Sequence, residues 1–349
     1  MDKRGNLYGT TLGGGIRGAG TVFKLDRTGR ETLVHNFAGG PGDSDGTCST
    51  LIRDAAGNLY GTGGGGTHFD GTVFKVTKQH VETILHSFMG GNRDGKLPCA
   101  RLVRDAAGNL YGTTLNGGKP ACETGCGVVF RLDAAGKETL LYRFAGTPDG
   151  AFATTGLIRD EAGNFYGTTE EGGDLKRCEL GCGTVFKLTP TGSETVLYRF
   201  PGPPDGRYPS GELIRDAAGN FYGVTNGGGS SRLWGTVFKL DRHGKETVLY
   251  SFKGGSDGGG PMGALVRDSH GNLYGTTEFG GNPACNLGCG TVFKLDRNGV
   301  KILLHTFAGA PTDGAAPIAG LVTDASGNLY GATSGGGAND GGTVFKLTP

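Results

Sequence analysis

Short β-prone runs, each closed by Asp-x-x-Gly or by glycines, follow one another along the whole chain, and no segment keeps the 3.6-residue hydrophobic period of a helix. The stretch from Leu102 to Phe144 is representative. It holds four runs: Leu102-Val103-Arg104, Leu110 to Thr114, Val128 to Leu132 and Glu138 to Phe144. Asp105-Ala106-Ala107-Gly108-Asn109 joins the first two and Asp133-Ala134-Ala135-Gly136-Lys137 the last two. An aspartate that caps the turn, two residues in the right-handed region and a glycine in the left-handed one make a short hairpin with a type I turn and a bulge. The predicted unit is a four-stranded antiparallel meander.

That unit repeats. Gly-Asn-Leu/Phe-Tyr-Gly places tyrosines at 8, 60, 111, 166, 222, 274 and 330, at spacings of 52, 51, 55, 56, 52 and 56 residues. Thr/Val-Val-Phe follows each, with Phe23, Phe74, Phe130, Phe186, Phe238, Phe293 and Phe345. A lone meander exposes both faces, so copies must pack face to face, as propeller blades do. Runs such as Leu140-Leu141-Tyr142-Arg143-Phe144 do not alternate cleanly and suit burial on both sides. The glycine after each tyrosine is expected to let the neighbouring blade approach closely. The expected fold is all-β, a seven-bladed β-propeller forming one domain over residues 1–349. The first copy lacks its first strand and the last copy its fourth, so the terminal blades are expected to be three-stranded unless residues are missing. A β-solenoid is the rival, but its coils are usually shorter and have no need of paired Asp-x-x-Gly hairpins.

In such a blade the two tight turns share one face, while the loop from second to third strand and the crossover to the next blade share the other. Only the second pair varies, so binding is assigned to that face. From repeat tyrosine to the residue before Val-Phe the distance is 12 to 14 residues in four copies and 17 or 18 in copies three, four and six. The long loops carry Cys122 and Cys126, Cys178 and Cys182, and Cys285 and Cys289. A local disulfide in each is the favoured reading. Zinc fits less well, because a closed site takes about four ligands and each loop offers two thiols without a nearby histidine; a reactive thiol pair comes third. Cys48 and Cys99 hold one position in consecutive copies and are candidates for a bridge between blades. Eight cysteines, all pairable, point to an oxidising compartment and hence to an extracellular or cell-surface location.

Composition narrows the function classes. Glycine supplies 72 residues, roughly three times ordinary usage, which fits many tight turns. Lys plus Arg number 34 against 33 for Asp plus Glu, without blocks, so no nucleic-acid footprint is expected. No run is long enough to span a bilayer and Met1 to Tyr8 has no signal-peptide core. The chain starts in mid-repeat, which suggests a fragment and leaves that second observation with little to say about compartment.

Asp-Gly pairs recur in the crossovers at Asp45, Asp94, Asp149, Asp205, Asp257 and Asp313. A ring of them offers oxygens to calcium, but turn-building is the simpler explanation, and no cofactor is assigned. His35, His86 and His305 exchange with Tyr142, Tyr198 and Tyr250 at one strand position, which reads as packing with a polar tip. The glycine strings lack the Lys-Ser/Thr and the helix of a phosphate loop. Departures from the repeat are the better ligand-binding candidates: Trp234 and Arg232, Tyr208 and Arg207, Phe69 and His68, with Lys119 and Arg177 beside them. Trp234, the only tryptophan, leads as a stacking surface for a sugar ring or partner side chain, against the alternative of a loop tucked onto its own blade.

Asp105 to Thr114, reading Asp-Ala-Ala-Gly-Asn-Leu-Tyr-Gly-Thr-Thr, and the later Gly-Thr-Val-Phe-Lys-Leu of most copies resemble the GloVer repeat of choice-of-anchor bacterial proteins over essentially the whole chain. They are also similar to NHL-type and two-component-regulator propeller repeats. The resemblance implies a bacterial extracellular or surface protein with a separate sorting anchor, and carries over no catalytic residue. The expectation is a non-enzymatic, monomeric propeller that binds a glycan, peptide or protein on its variable face. The alternative is a propeller enzyme of lyase or glycoside hydrolase type, with unlike acid and base groups converging at the axial mouth.

Overall fold

A computed structural model describes residues 1–47 and 49–349. Antiparallel meanders follow one another in chain order, and the fold is a seven-bladed β-propeller. The five middle sheets are built on four strands, the first and last on three, as the incomplete terminal copies require. In the third sheet the strands are Val103–Arg104, Leu110–Thr113, Val128–Leu132 and Glu138–Arg143, each within a residue or so of the sequence reading. Helix is limited, among the described residues, to the 3-10 turns Gly91–Arg93 and Gly255–Asp257. No helix is long and apolar enough to cross a membrane.

Both tight turns form as expected. Gly108 sits at φ +91°, its N–H donates to Asp105 O at 3.1 Å, and Asp105 N–H donates to Asn109 O at 3.0 Å. The Asp105 carboxylate accepts from the Asn109 backbone N–H at 2.9 Å, the Asn109 side-chain amide at 2.8 Å and the Tyr111 hydroxyl at 3.0 Å. The repeat tyrosine is thus tied to the turn that opens its own strand. Asp133 to Lys137 repeats the backbone pattern.

The glycine after that tyrosine has a different role from the one expected. Gly112 lies opposite Phe130 in the strand register, and a Cβ there would stand 2.6 Å from Phe130 Cζ and 2.9 Å from Leu102 Cδ2. The group that approaches is the same blade's own phenylalanine and leucine, so the glycine is a seat within the sheet.

Packing divides the chain into two compact units, residues 1–169 with 186–196 and residues 170–185 with 197–349. In each, the core lies between consecutive sheets. In the first unit, Tyr60, Val73 and Phe88 of one blade pack with Leu102, Leu110, Phe130 and Leu132 of the next. In the second, Tyr222, Val237 and Phe252 meet Leu265, Leu273, Phe293 and Leu295. The phenylalanine ending each fourth strand meets the next blade's third-strand phenylalanine edge to face, as in Phe88 with Phe130 at 5.1 Å and Phe252 with Phe293 at 5.2 Å. Such pairs add about 0.5–1.5 kcal/mol beyond their area.

Candidate functional site

On the variable face, a crossover and the long loop of the blade it enters are stitched together by short ladders. Gly95–Lys96 pairs with Asn116–Gly117, and Gly314–Ala315 with Gly335–Gly336. In the fifth blade the ladder merges with the first strand, Gly206–Arg215, which puts Arg207 opposite Gly227. Disulfides Cys122–Cys126, Cys178–Cys182 and Cys285–Cys289 close the three long loops, with Cα separations of 5.1, 5.3 and 5.0 Å. Their sulfurs press on crossover glycines: a Cβ on Gly202 would lie 2.9 Å from Cys182 Sγ, and one on Gly309 equally close to Cys285 Sγ. Cys99 is disulfide-bonded; Cys48, its expected partner, lies outside the described residues.

Trp234 occupies in the fifth blade the place that the second cysteine of each pair takes in its neighbours. Its half-buried indole fills the space over Gly254 and Gly259, where added Cβ atoms would lie 2.4 and 2.5 Å from the ring, and it meets Phe279 edge to face at 6.5 Å. The loop is folded onto protein at this point.

Beside it lies a cavity of about 520 Å³ lined by Arg177, Pro203, Arg207, Arg232 and Leu233. Each arginine comes from a different segment. Arg177 precedes the Cys178–Cys182 loop and donates to Pro203 O. Arg207 lies along Gly227, where a Cβ would come within 2.9 Å of its Nε. Its guanidinium sits 5.1 Å from the centre of the Tyr208 ring, and its buried Nε has no hydrogen-bond partner. Tyr208 is held at φ +58° with its N–H on Cys182 O at 2.9 Å. Arg232 is held at φ +70° with its N–H on Gly229 O at 3.0 Å, in a region where non-glycine residues are uncommon. Three arginines and no acidic residue line the cavity, a composition suited to an anion.

Comparison with known proteins settles the family. The Gloeobacter/Verrucomicrobia repeat matches residues 1–179 and 178–349. The chain belongs to this repeat family. No curated protein matches it. Among solved structures it is similar to puromycin hydrolase, at 15% identity and a TM-score of 0.61 over 94% of this chain and 48% of that one. It is also similar to a luciferin-regenerating enzyme, at 14% identity and 0.48 over 86% and 91%, and to the tricorn protease, at 11% identity and 0.47 over 94% and 28%. The chain therefore spans about half of puromycin hydrolase, and that likeness concerns the fold alone.

Within this Gloeobacter/Verrucomicrobia repeat protein the remaining sequence candidates are not among the residues lining the cavity. His68 and Phe69 sit on an exposed loop of the first unit, Phe69 at φ +58° and 61% exposed, and Lys119 is exposed there as well. The crossover aspartates hold the turns of their own crossovers. Asp149 accepts from Tyr142 Oη at 2.9 Å, Ala145 N–H at 2.9 Å and Gly150 N–H at 2.7 Å, which supports turn-building over a calcium ring. In the first crossover the sequence register needs correcting: Asp43, not Asp45, takes the Ala38 and Ser44 N–H groups. Ser44 stands where the other copies have glycine, so the Asp-Gly pair two residues on was mistaken for the turn.

Sequence reading missed what these aspartates meet next. The aspartate of a crossover meets the first residue of the next blade's fourth strand at Glu82, Glu138 and Glu246, with Lys301 in the sixth copy, and Glu194 acts on Tyr142, the partner of Asp149. Burial, then the neighbouring Asp205, pushes Glu246 up to about 8. Burial and Asp94 push Glu138 up to about 7. Lys301, with its side chain 7% exposed, replaces such an acid pair by an ion pair with Asp257 at 2.9 Å. The signal was present in the repeat as Glu-Thr opening each of these strands, with Lys-Ile in the sixth copy. Nothing in one sequence says that it faces the preceding crossover.

Proposed function

We propose that the chain is a secreted, non-enzymatic β-propeller that binds an acidic glycan on its variable-loop face, at the cavity formed by Arg177, Arg207 and Arg232. The single observation carrying this reading is that three arginines, from three separate segments, line one concavity of about 520 Å³, within the size range of small-ligand sites. Guanidinium groups match planar carboxylates and sulfates bidentately, and Tyr208 supplies an aromatic face beside them. Three local disulfides support export to an oxidising compartment. A hydrolase or lyase would need unlike acid and base groups gathered at the binding cavity, whereas this cavity is lined by three arginines with Pro203 and Leu233.

A glycan array with neutral, carboxylated and sulfated members tests the reading. Retention is expected for acidic glycans only, weakened at least about tenfold in Arg207→Ala and in Arg232→Ala, since a charged hydrogen bond contributes about 1.5–3 kcal/mol. Equal retention of neutral glycans, or binding indifferent to both substitutions, would refute it.

A further inference from the structure

We propose that His86, Asp94 and Glu138, at the junction between the second and third blades, form a binding site for a first-row divalent cation of the zinc type. His86 Nε2 stands 3.5 Å from Asp94 Oδ2 and 3.8 Å from Glu138 Oε1, and one ligand atom from each residue lies within 4.8 Å of the other two. These separations from His86 are longer than ordinary hydrogen bonds and fall within ion-pair range. They are close to the spacing of about 3.3–3.6 Å between donors placed tetrahedrally around a metal with bonds of about 2.0–2.2 Å.

The six equivalent positions make the contrast. Tyr142, Tyr198 and Tyr250 donate to their crossover aspartates. His35 is hydrogen-bonded to Glu82 and His305 to Asp313, each at 3.1 Å. His86 Nε2, by contrast, is buried without a hydrogen bond, and it stands beside Glu138 Oε1, which shares that state with Glu82 Oε1 and Glu246 Oε1. The imidazole and the two carboxylates thus meet at ion-pair distance and not at hydrogen-bond distance, an arrangement that a shared cation would satisfy more fully. The Asp94 side chain, 3% exposed, is fixed there by the Met89 and Gly95 N–H groups at 2.8 and 2.6 Å. A neutral imidazole and two carboxylates carry two negative charges, which a divalent ion neutralises. A nitrogen donor among so few oxygens selects zinc, and cobalt as its stand-in, over calcium.

The repeat itself supplies the variant for the test. Tyrosine already fills this position in three copies with its aspartate intact, so His86→Tyr removes a ligand while keeping a side chain that the site accommodates. Purified full-length chain, stripped with a chelator, is titrated with Co²⁺ and read by its visible ligand-field absorption, and separately with Zn²⁺ or Ca²⁺ and read by thermal shift. We expect one Co²⁺ per chain, a Zn²⁺-dependent rise in melting temperature and none with Ca²⁺. Affinity should fall at least about tenfold in His86→Tyr and in Glu138→Gln, and stay unchanged in His35→Tyr. Absence of Co²⁺ binding by the unaltered chain, undiminished binding by a folded His86→Tyr, or loss in His35→Tyr instead would overturn the assignment.

Discussion

Gly223 shows how much of this fold is decided atom by atom. It lies opposite Phe238 in the register, and a Cβ there would stand 2.7 Å from Phe238 Cζ and 2.9 Å from Leu213 Cδ2. Neither neighbour can yield, because Phe238 and Leu213 are themselves buried. Gly223→Ala is therefore expected to destabilise by about 1–3 kcal/mol through overpacking, read as a lower thermal or denaturant midpoint. Gly341→Ala, where a Cβ would meet nothing, should be neutral, and equal effects at the two positions would show that the seat is not tight. At this scale the sequence was readable where chemistry is local: Asp105, Gly108 and Asn109 announce their turn because every bond they make lies within a few residues. It was unreadable where the partner is remote, as with the ring over Gly112 or the glycines under Trp234.

Between elements, the repeated acid pairs couple blade packing to pH. Burial and Asp205 hold Glu246 up at about 8, while the unfolded chain gives up that proton near the ordinary glutamate value of about 4.5. Over that interval folding takes up a proton, so this group's contribution to stability is complete below about 4.5, declines as pH rises and is lost above about 8. Glu246→Gln keeps a donor for Asp205 and removes the titration. Its melting temperature should match that of the parent at pH 4.5 and exceed it by about 2–4 °C at pH 8. A gain of the same size at both pH values would mean that the effect is not protonic. These pairs escaped the sequence reading although Glu246 and Asp205 were both in view, because forty-one positions separate them and only the stacking of sheets brings them together.

For the whole molecule, stability is expected to reside in the contacts between successive sheets, with the three loop disulfides as local trim. Each of the three bridges spans a sequence separation of 4, for which loop-closure entropy amounts to about 2 kcal/mol. Reduction is expected to lower the melting temperature by roughly 5–10 °C and leave the far-ultraviolet β signal intact at ambient temperature; a reduced chain that unfolds there would show that the loops hold the blades. Seven copies of one meander, their turns, their truncated ends and the face on which they vary were all determined by the sequence alone, because each rests on periodicity and on short-range bonds. Even Arg177, Arg207 and Arg232 were marked as departures from the repeat. That these three surround a single cavity, that Trp234 plugs the place of a disulfide, and that His86 and Glu138 face one another unbonded was decided only by the tertiary structure. Proximity between blades depends on how sheets stack, and no interval along a single chain encodes it.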